Sequence, residues 1–215
     1  MVTKFKEEEL SKIFFTSDTH FGHKNILDYC KRPFSSVEEM DKRLIENWNN
    51  VVKPDDIVFH LGDFAFCGSN RIREIRNQLN GKIILVKGNH DRHLKDSLCN
   101  ELFEGTTYQL QIQLGDRSVY LNHFPFLSWG GCSRKPENAV YQLFGHIHSC
   151  KSNPYFNLHR FQYDVGVDNN NYKPVSWNEV QSKIDEQCKT KNLLQKFKQW
   201  SLLIIQKIKK LLKKI

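Results

Sequence analysis

The feature that most constrains this chain is a pattern that repeats along it. A short apolar run is followed each time by potential metal ligands. The runs Ile13–Phe15, Ile57–Phe59 and Ile83–Val86 have the length and composition of buried strands. Ligands bind at the carboxyl ends of strands in open α/β sheets, so we expect the following side chains to converge in one crevice. The clusters, in chain order, are Asp18-Thr19-His20, Gly62-Asp63, Gly88-Asn89-His90-Asp91, His123 and Gly145-His146-Ile147-His148.

Helical periodicity separates the early strands. Apolar residues recur every three or four positions over residues 36–51 and again from Ile72 to Leu79, where Asn80-Gly81 predicts a helix end. From Tyr108 onward apolar and polar residues alternate, with a hairpin turn at Gly115-Asp116. The order β-α-β-α-β followed by mostly β predicts an α/β core whose sheets are covered by helices.

Composition excludes several classes of protein. With 39% hydrophobic and 26% charged residues in 215, the chain is neither disordered nor collagen-like. It contains no apolar run long enough to span a membrane, and its first ten residues do not resemble a signal peptide. Six cysteines without CxxC spacing indicate reduced thiols. We therefore expect a cytoplasmic protein.

The ligand-type residues themselves indicate a particular chemistry. Two ligands one residue apart, as in Asp18/His20 and His146/His148, can both face a metal where the backbone turns, and flanking glycines permit such turns. Carboxylate, imidazole and amide donors suit Mn²⁺, Fe or Zn²⁺ better than a thiolate site would. A cysteine nucleophile at Cys150, close to His148, is a rival chemistry that we do not favour.

Taken together, the motifs DxH, GD, GNHD, H and GHxH resemble the calcineurin-like metallophosphoesterase superfamily over residues 13–148. The segments Asp18–His23, Gly166–Asp168 and Tyr172–Ser176 are also similar to a small bacterial and phage branch. The resemblance implies a four-layer αββα sandwich with two divalent metal ions at its edge. Mn²⁺ is the expected ion, and Fe, Zn²⁺ and Ni²⁺ are alternatives. The resemblance assigns Asp18, His20 and His148 to one metal, Asn89, His123 and His146 to the other, and Asp63 to both.

The same resemblance implies the reaction. A hydroxide bridging the two metals would attack phosphorus in line. His90 would contact the phosphate and protonate the leaving oxygen, while Asp91 would orient His90 or a neighbouring loop. Two roles stay open for His23, which would either contact the substrate phosphate or cap the helix beginning near Asn25. Arg92 would either bind substrate at the pocket rim or lie solvated at the surface.

The ligand set serves phosphodiesters and phosphomonoesters alike, so the choice between them depends on access. The chain has no room for a large inserted cap, which favours a phosphodiesterase over a phosphatase. A nucleotide or nucleic-acid substrate is compatible with this, although no basic aromatic platform is visible in the sequence. A non-catalytic binding scaffold on the same fold is a further alternative, against which the complete set of ligand positions argues. His60 is expected to support the site or the core.

The basic character of the chain belongs to one end. Lys189–Ile215 contains nine lysines and no acid, so residues 1–188 carry a net charge of −1 although the whole chain carries +8. We expect residues 1–188 to form the metallophosphoesterase domain and residues 189–215 a basic amphipathic helix. That helix would pack on the core, attach to an anionic membrane surface through residues 190–215, or bind nucleic acid or a partner groove. The oligomeric state stays open.

Overall fold

The computed structural model describes residues 3–148 and 159–190. The strands are β1 (Thr3–Phe5), β2 (Ile13–Thr16), β3 (Ile57–His60), β4 (Lys82–Val86), β5 (Gly105–Thr107), β6 (Gln109–Leu114), β7 (Arg117–Asn122), β8 (Tyr141–Phe144), β9 (Gln162–Asp164) and β10 (Val175–Ser176). The helices are α1 (Ile26–Tyr29), α2 (Val37–Val51), α3 (Ser69–Arg76), α4 (Asp96–Leu102) and α5 (177–190). Short 3₁₀ helices are Glu7–Lys12, His90–His93, Pro136–Asn138 and Val167–Asn169.

The strands form two five-stranded sheets, in the orders β1-β6-β7-β8-β9 and β10-β2-β3-β4-β5. Strands β2, β3, β4 and β5 run parallel, as do β7, β8 and β9, and only β6–β7 and β10–β2 pair antiparallel. The predicted hairpin joins β6 to β7, with Leu114 opposite Arg117. Because parallel strands end at the same edge of a sheet, the loops that carry the candidate ligands are neighbours.

Two apolar clusters lie on the two faces of the second sheet, since side chains alternate along each strand. Phe15 and Phe59 face the cluster shared with the first sheet, whereas Phe14 and Val58 face the cluster under α2, α3 and α4. Trp48 of α2 is buried in that second cluster, where a large apolar side chain contributes about 1.5–3 kcal/mol. The predicted α/β fold of two sheets flanked by helices is confirmed.

The helices follow the predicted pattern with shifted ends. Helix α2 begins after Ser36, whose side-chain oxygen accepts a hydrogen bond from the Glu39 amide at 3.2 Å, as in an N-cap. Helix α3 starts at Ser69, before Ile72, and ends at Arg76, so the predicted helical continuation to Leu79 is wrong. The Leu79 amide instead closes a turn onto the Arg76 carbonyl at 3.1 Å.

Among the described residues, no helix combines the length and apolar character that a membrane span needs. The predicted basic helix falls mostly on residues 191–215, outside the described ranges. Within them, Trp177, Val180 and Ile184 of α5 are buried in the cluster between the sheets. The domain boundary at residue 188 and the amphipathic helix beyond it therefore stay predictions.

Candidate metal centre

Unusual backbone geometry marks the loops at the shared strand edge. The left-handed region is uncommon for residues other than glycine. Of the eight described non-glycine residues with positive φ, five are candidate ligands, namely Asp18 (58°), His20 (49°), Asp63 (56°), His146 (73°) and His148 (43°). The turns that the Asp18/His20 and His146/His148 spacings require are therefore present. They bring both members of each pair to one edge.

Two glycines allow these loops to approach one another. A Cβ atom on Gly88 would overlap the Asp63 carboxylate, and one on Gly145 would overlap Asp18 and Ser17. The glycines that flank the candidate ligands therefore have a steric role, because each packs against a carboxylate.

One ligand group consists of Asp18, His20 and His148, whose donor atoms lie within 4.8 Å of one another. His148 Nε2 lies 3.7 Å from Asp18 Oδ1. Within the described residues, Asp18 Oδ1 and His20 Nε2 are buried and have no hydrogen-bond partner. Leaving such atoms unpaired costs about 1–3 kcal/mol each, so they are poorly explained by the protein alone.

The second ligand group adjoins the first through Asp63. Asp63 Oδ2 lies 3.5 Å from His20 Nε2 and 3.5 Å from His123 Nε2. His123 Nε2 lies 3.0 Å from Asn89 Oδ1, and the rings of His123 and His146 have centroids 5.1 Å apart. The structure therefore brings all seven predicted metal ligands together, with Asp63 between the two groups.

The distances and donor types fit metal ions. Separations of 3.5–3.7 Å are too long for good hydrogen bonds. Two ligands of one ion with bonds of about 2.0–2.2 Å lie roughly 3–3.5 Å apart, close to what is seen here. Oxygen and imidazole donors match Mn²⁺, Fe or Zn²⁺. Divalent cations would also pair the two unsatisfied buried atoms.

Backbone and side-chain partners orient the ligand rings. His123 Nδ1 lies 2.8 Å from the Leu61 carbonyl, to which it donates, so that its Nε2 lone pair faces Asp63 and Asn89. His148 Nδ1 lies 2.8 Å from Asp168 Oδ2. In both histidines the nitrogen remote from the ligand group is therefore held by the protein.

Arg32 and Asp168 form a buried ion pair behind His148 that the sequence analysis did not identify as part of the site. Arg32 Nε and Nη2 donate to the two Asp168 oxygens at 2.8 and 2.9 Å. Arg32 also donates to the Asp18 carbonyl at 2.6 Å and to the Thr19 carbonyl at 3.0 Å. Asp168 stood in the Gly166–Asp168 motif, whereas Arg32 had no sequence signal. Together they link the loop after β2 to His148.

Burial and charge shift the pKa values at the site in different directions. Burial raises the pKa of Asp18 and lowers that of His20. Burial alone would lower the pKa of His148, but hydrogen bonds with Asp168 and Cys30 and the neighbouring Asp18 charge outweigh it and raise that pKa to about 10. Burial acts to raise the pKa of Asp168, yet His148 and Arg32 hold it below its usual value. The negative charge of Asp168 is therefore stabilised by both His148 and Arg32.

His90 and Asp91 have different surroundings. The His90 ring lies beside the first ligand group, 5.3 Å from the His20 ring, and its amide donates to Asp63 Oδ1 at 2.8 Å. Asp91 is fully buried, and its carboxylate accepts hydrogen bonds from the amides of Asp63, Phe64 and Gly88. Of the two roles predicted for Asp91, the contacts favour orientation of the loops.

The remaining predicted residues lie at the rim or behind it. His23 Nδ1 lies 3.3 Å from His20 Nδ1, and no side chain caps α1, so His23 faces the site. Arg92 is exposed and its Nε donates to the Asn89 carbonyl at 3.0 Å. The buried His60 ring accepts from the Gly62 amide and donates to Thr19 Oγ1, so it supports both loops, and burial lowers its pKa to about 3.

The predicted rival nucleophile Cys150 lies outside the described residues. Within them, the Cys30 sulfur lies within 4.8 Å of donor atoms of His148 and Asp168, beside the first ligand group. The Cys-x5-Arg spacing of cysteine phosphatases, which the sequence analysis overlooked, does occur at Cys67 and Arg73. Burial raises the pKa of the Cys67 thiol to about 11, so the thiolate is disfavoured. Arg73 is paired with Glu101 at 2.6 Å instead of facing Cys67. The spacing is therefore coincidental.

The fold is a two-sheet α/β structure whose strand ends gather carboxylate and imidazole groups that could hold metal ions. A family model described as calcineurin-like phosphoesterase matches residues 11–196, and the chain belongs to this family. An uncharacterized protein of Methanocaldococcus jannaschii is 40% identical over 171 residues, covering 78% of this chain and 88% of that protein. The Gene 66 protein of Mycobacterium phage L5 is 30% identical over 189 residues, 74% of this chain and 87% of its own length.

A solved structure agrees with the fold. The protein of unknown function AQ665 from Aquifex aeolicus has a TM-score of 0.60 and 27% identity, and the match covers 79% of this chain and 97% of that one. Family membership makes this protein a hydrolase of phosphate esters, and the family carries a dinuclear divalent metal site. The predicted family is therefore confirmed.

We expect Asp63→Asn to lower the metal content, because an amide cannot bridge two cations as a carboxylate does. Elemental analysis of the reconstituted protein should fall from about two ions per chain to one or fewer. Asp116→Asn, in the exposed turn between β6 and β7, is the matched control and should keep both ions. Two ions per chain in Asp63→Asn would contradict the bridging assignment.

We expect Asp168→Ala to weaken metal binding about 10–100-fold, the usual cost of losing a partner that orients a histidine ligand. Calorimetric titration of the apoprotein with Mn²⁺ measures this, with Asp168→Asn expected to lose less. The substitution also leaves Arg32 unpaired, so the melting temperature should fall as well. A lower melting temperature with unchanged Mn²⁺ affinity would show that the pair serves only the fold.

Proposed function

We propose that this protein is a phosphodiesterase that works with two divalent ions, with Mn²⁺ as the resident metal. The observation that carries the proposal is the position of Asp63 Oδ2, 3.5 Å from both His20 Nε2 and His123 Nε2. A carboxylate so placed can join two cations into one centre. The two ions would supply positive charge that polarises a phosphoryl group and lowers the pKa of an attacking water.

The chain's own residues would hold the reacting groups in place. Asp91 fixes the Asp63 loop through backbone amides, and the His90 amide fixes the second Asp63 oxygen. We assign His90 as the phosphate contact and as the donor of a proton to the leaving oxygen. His23 lies beside His20 and is half-buried, and burial lowers its pKa, so it would contact the same phosphate in its neutral form. Arg92 would bind substrate at the rim.

Access to the centre supports a diester over a monoester. His146 is exposed, and His90, His148 and Asn89 are partly exposed, so the described residues leave the metal edge open to an extended substrate. A phosphomonoesterase with the same residues is the second candidate. A non-catalytic scaffold is disfavoured, because it would gain nothing from Asp18 Oδ1 and His20 Nε2 atoms buried without partners.

We also propose a cytoplasmic location and a role for the basic end of the chain. Cys30, Cys67, Cys99 and Cys132 are free thiols, which suits a reducing compartment. Residues 189–215 would form an amphipathic helix that attaches to anionic lipid, with packing on the core and binding of nucleic acid or a partner as the alternatives.

For this basic segment we expect that a chain lacking residues 190–215 keeps diester hydrolysis, since every assigned site residue, Asp168 included, precedes residue 190. The full-length protein should co-sediment with vesicles containing anionic lipid and be released as salt rises, whereas the truncated protein should stay in solution. An insoluble truncation together with a full-length protein that ignores vesicles would assign the segment to the core.

The reaction itself is tested by a screen of the metal-reconstituted protein against a diester, a monoester, a 2′,3′-cyclic nucleotide, and short RNA and DNA. We expect the highest kcat/KM on a diester, with activity removed by a chelator and restored by Mn²⁺. A higher kcat/KM on the monoester would replace the proposed activity by a phosphatase.

In the same screen His90→Asn should keep both metal ions yet slow turnover of alkyl esters by about 10²–10⁴-fold, because it removes a proton donor. The loss should shrink with a nitrophenol leaving group, which departs without protonation. An equal loss on both types of ester would contradict the acid role and indicate phosphate binding alone.

A further inference from the structure

Most of the exposed large apolar side chains in the described part of the chain lie at the candidate metal centre. Among the described residues five are exposed, namely Tyr29, Phe66, Tyr108, Phe124 and Leu127. Three of them, Tyr29, Phe66 and Phe124, have ring contacts with histidines of the site. Aromatic rings left in water beside a polar centre indicate a partner that covers them. The three residues are called the aromatic rim below.

One part of the aromatic rim lies beside the first ligand group. The Phe66 ring is 49% exposed, and its centroid lies 4.7 Å from that of His23 and 5.8 Å from that of His90. The Phe66 amide donates to the Phe21 carbonyl at 2.8 Å, which fixes the ring's backbone next to His20. Tyr29 adds a second exposed ring, 6.3 Å from His23.

The other part lies beside the second ligand group. The Phe124 ring is 44% exposed, with its centroid 4.6 Å from that of His146 and 4.9 Å from that of His123. The Phe124 amide donates to Asn122 Oδ1 at 2.8 Å, which holds the start of this loop. Phe66 therefore contacts His23 and His90, which lie beside the first ligand group, whereas Phe124 contacts His123 and His146 of the second. Asp63 lies between the two groups.

This placement suits a substrate with a planar group on each side of its phosphate. Nucleobases stack on exposed aromatic side chains, and this stacking needs no particular base sequence. The Phe66 centroid lies 6.0 Å from that of His93, and the neighbouring Arg92 is exposed. Its guanidinium adds positive charge where a further phosphate of a nucleotide chain would lie. Simple alkyl phosphates would leave both rings uncovered.

We propose that the site takes nucleotide phosphodiesters, with one flanking base stacked on Phe66 and the other on Phe124. This proposal rests on the proposed phosphodiesterase activity and names its substrate class. The same chemistry occurs in a free dinucleotide and in a single strand of nucleic acid.

The kinetic test uses the full-length, Mn²⁺-loaded protein with two diesters, thymidylyl-thymidine and the methyl ester of thymidine 5′-monophosphate. We expect the dinucleotide to have a KM about tenfold lower, the contribution of one stacked base. Phe66→Ala and Phe124→Ala should each raise the KM for the dinucleotide about tenfold. The corresponding leucine variants should have a KM between those of the alanine variants and the wild type. Leu127→Ala, an exposed residue outside the aromatic rim, is the control and should match the wild type.

A binding measurement does not depend on turnover, so it tests the stacking proposal separately from the proposed hydrolysis. By calorimetry thymidine 5′-monophosphate should bind the loaded protein about tenfold more tightly than methyl phosphate, and a ring-to-alanine variant should remove the difference. Diester hydrolysis with no preference for bases, and with unchanged KM in both alanine variants, would overturn the stacking proposal and leave the phosphodiesterase. Preferential nucleotide binding without hydrolysis of any ester would support base stacking on the aromatic rim and would contradict the proposed phosphodiesterase activity. If a ten-residue thymidine oligonucleotide has a lower KM than the dinucleotide, the substrate is a single strand of nucleic acid and not a free dinucleotide.

Discussion

The metal centre depends on one buried carboxylate that is not itself a ligand. Asp91 accepts hydrogen bonds from the Gly88, Asp63 and Phe64 amides at 2.8, 2.7 and 3.0 Å. Burial raises the pKa of Asp91, and bonds from the Gly88 and Phe64 amides act against that rise. Charge-assisted bonds of this kind compensate for lost hydration. Without them the loops after β3 and β4 would keep the bond from the His90 amide to Asp63 Oδ1, but the Asp63 backbone would lose its anchor between the two ligand groups.

The ligand loops are assembled at a cost that the rest of the fold must offset. Positive φ at residues other than glycine costs of order 1–3 kcal/mol each, and buried unpaired donors or acceptors cost a similar amount. The two large apolar clusters on either face of the second sheet stabilise the strands from which these loops emerge. Metal binding would recover part of the cost, so folding and metal affinity are coupled in this protein.

Parallel strands explain why chemistry and substrate recognition share one edge. The ends of β2, β3 and β4 in one sheet and of β7 and β8 in the other bring ligands from five clusters together. The same loops continue into Phe66 and Phe124, so that the aromatic rim is a by-product of the arrangement that builds the metal centre. A change at Phe66 or Phe124 would therefore test the proposed substrate preference without altering a candidate ligand.

Much of the site could be predicted from the sequence because its signals are local. A short apolar run followed by Asp-x-His, Gly-Asp or Gly-His-x-His determines both a strand and the turn that ends it, and the periodicity over residues 36–51 determines a buried helix face. The ordered motifs also indicated the family. The sequence alone suffices for β2, β3, β4, the β6–β7 hairpin, helix α2 and the list of candidate ligands, whereas β1, β5, β10 and α4 were not predicted.

Only the tertiary structure decided which distant side chains meet. Arg32 and Asp168 are 136 positions apart, and no pattern along the chain connects them. Phe66 and Phe124 look like two ordinary aromatic residues until the sheets bring both to the metal edge. Cys67 and Arg73 show the reverse case, since a spacing typical of one chemistry places them with other partners. Hydrophobic periodicity indicates which residues face a core. A contact between remote loops depends instead on the order and direction of the strands, which are established only when the chain folds.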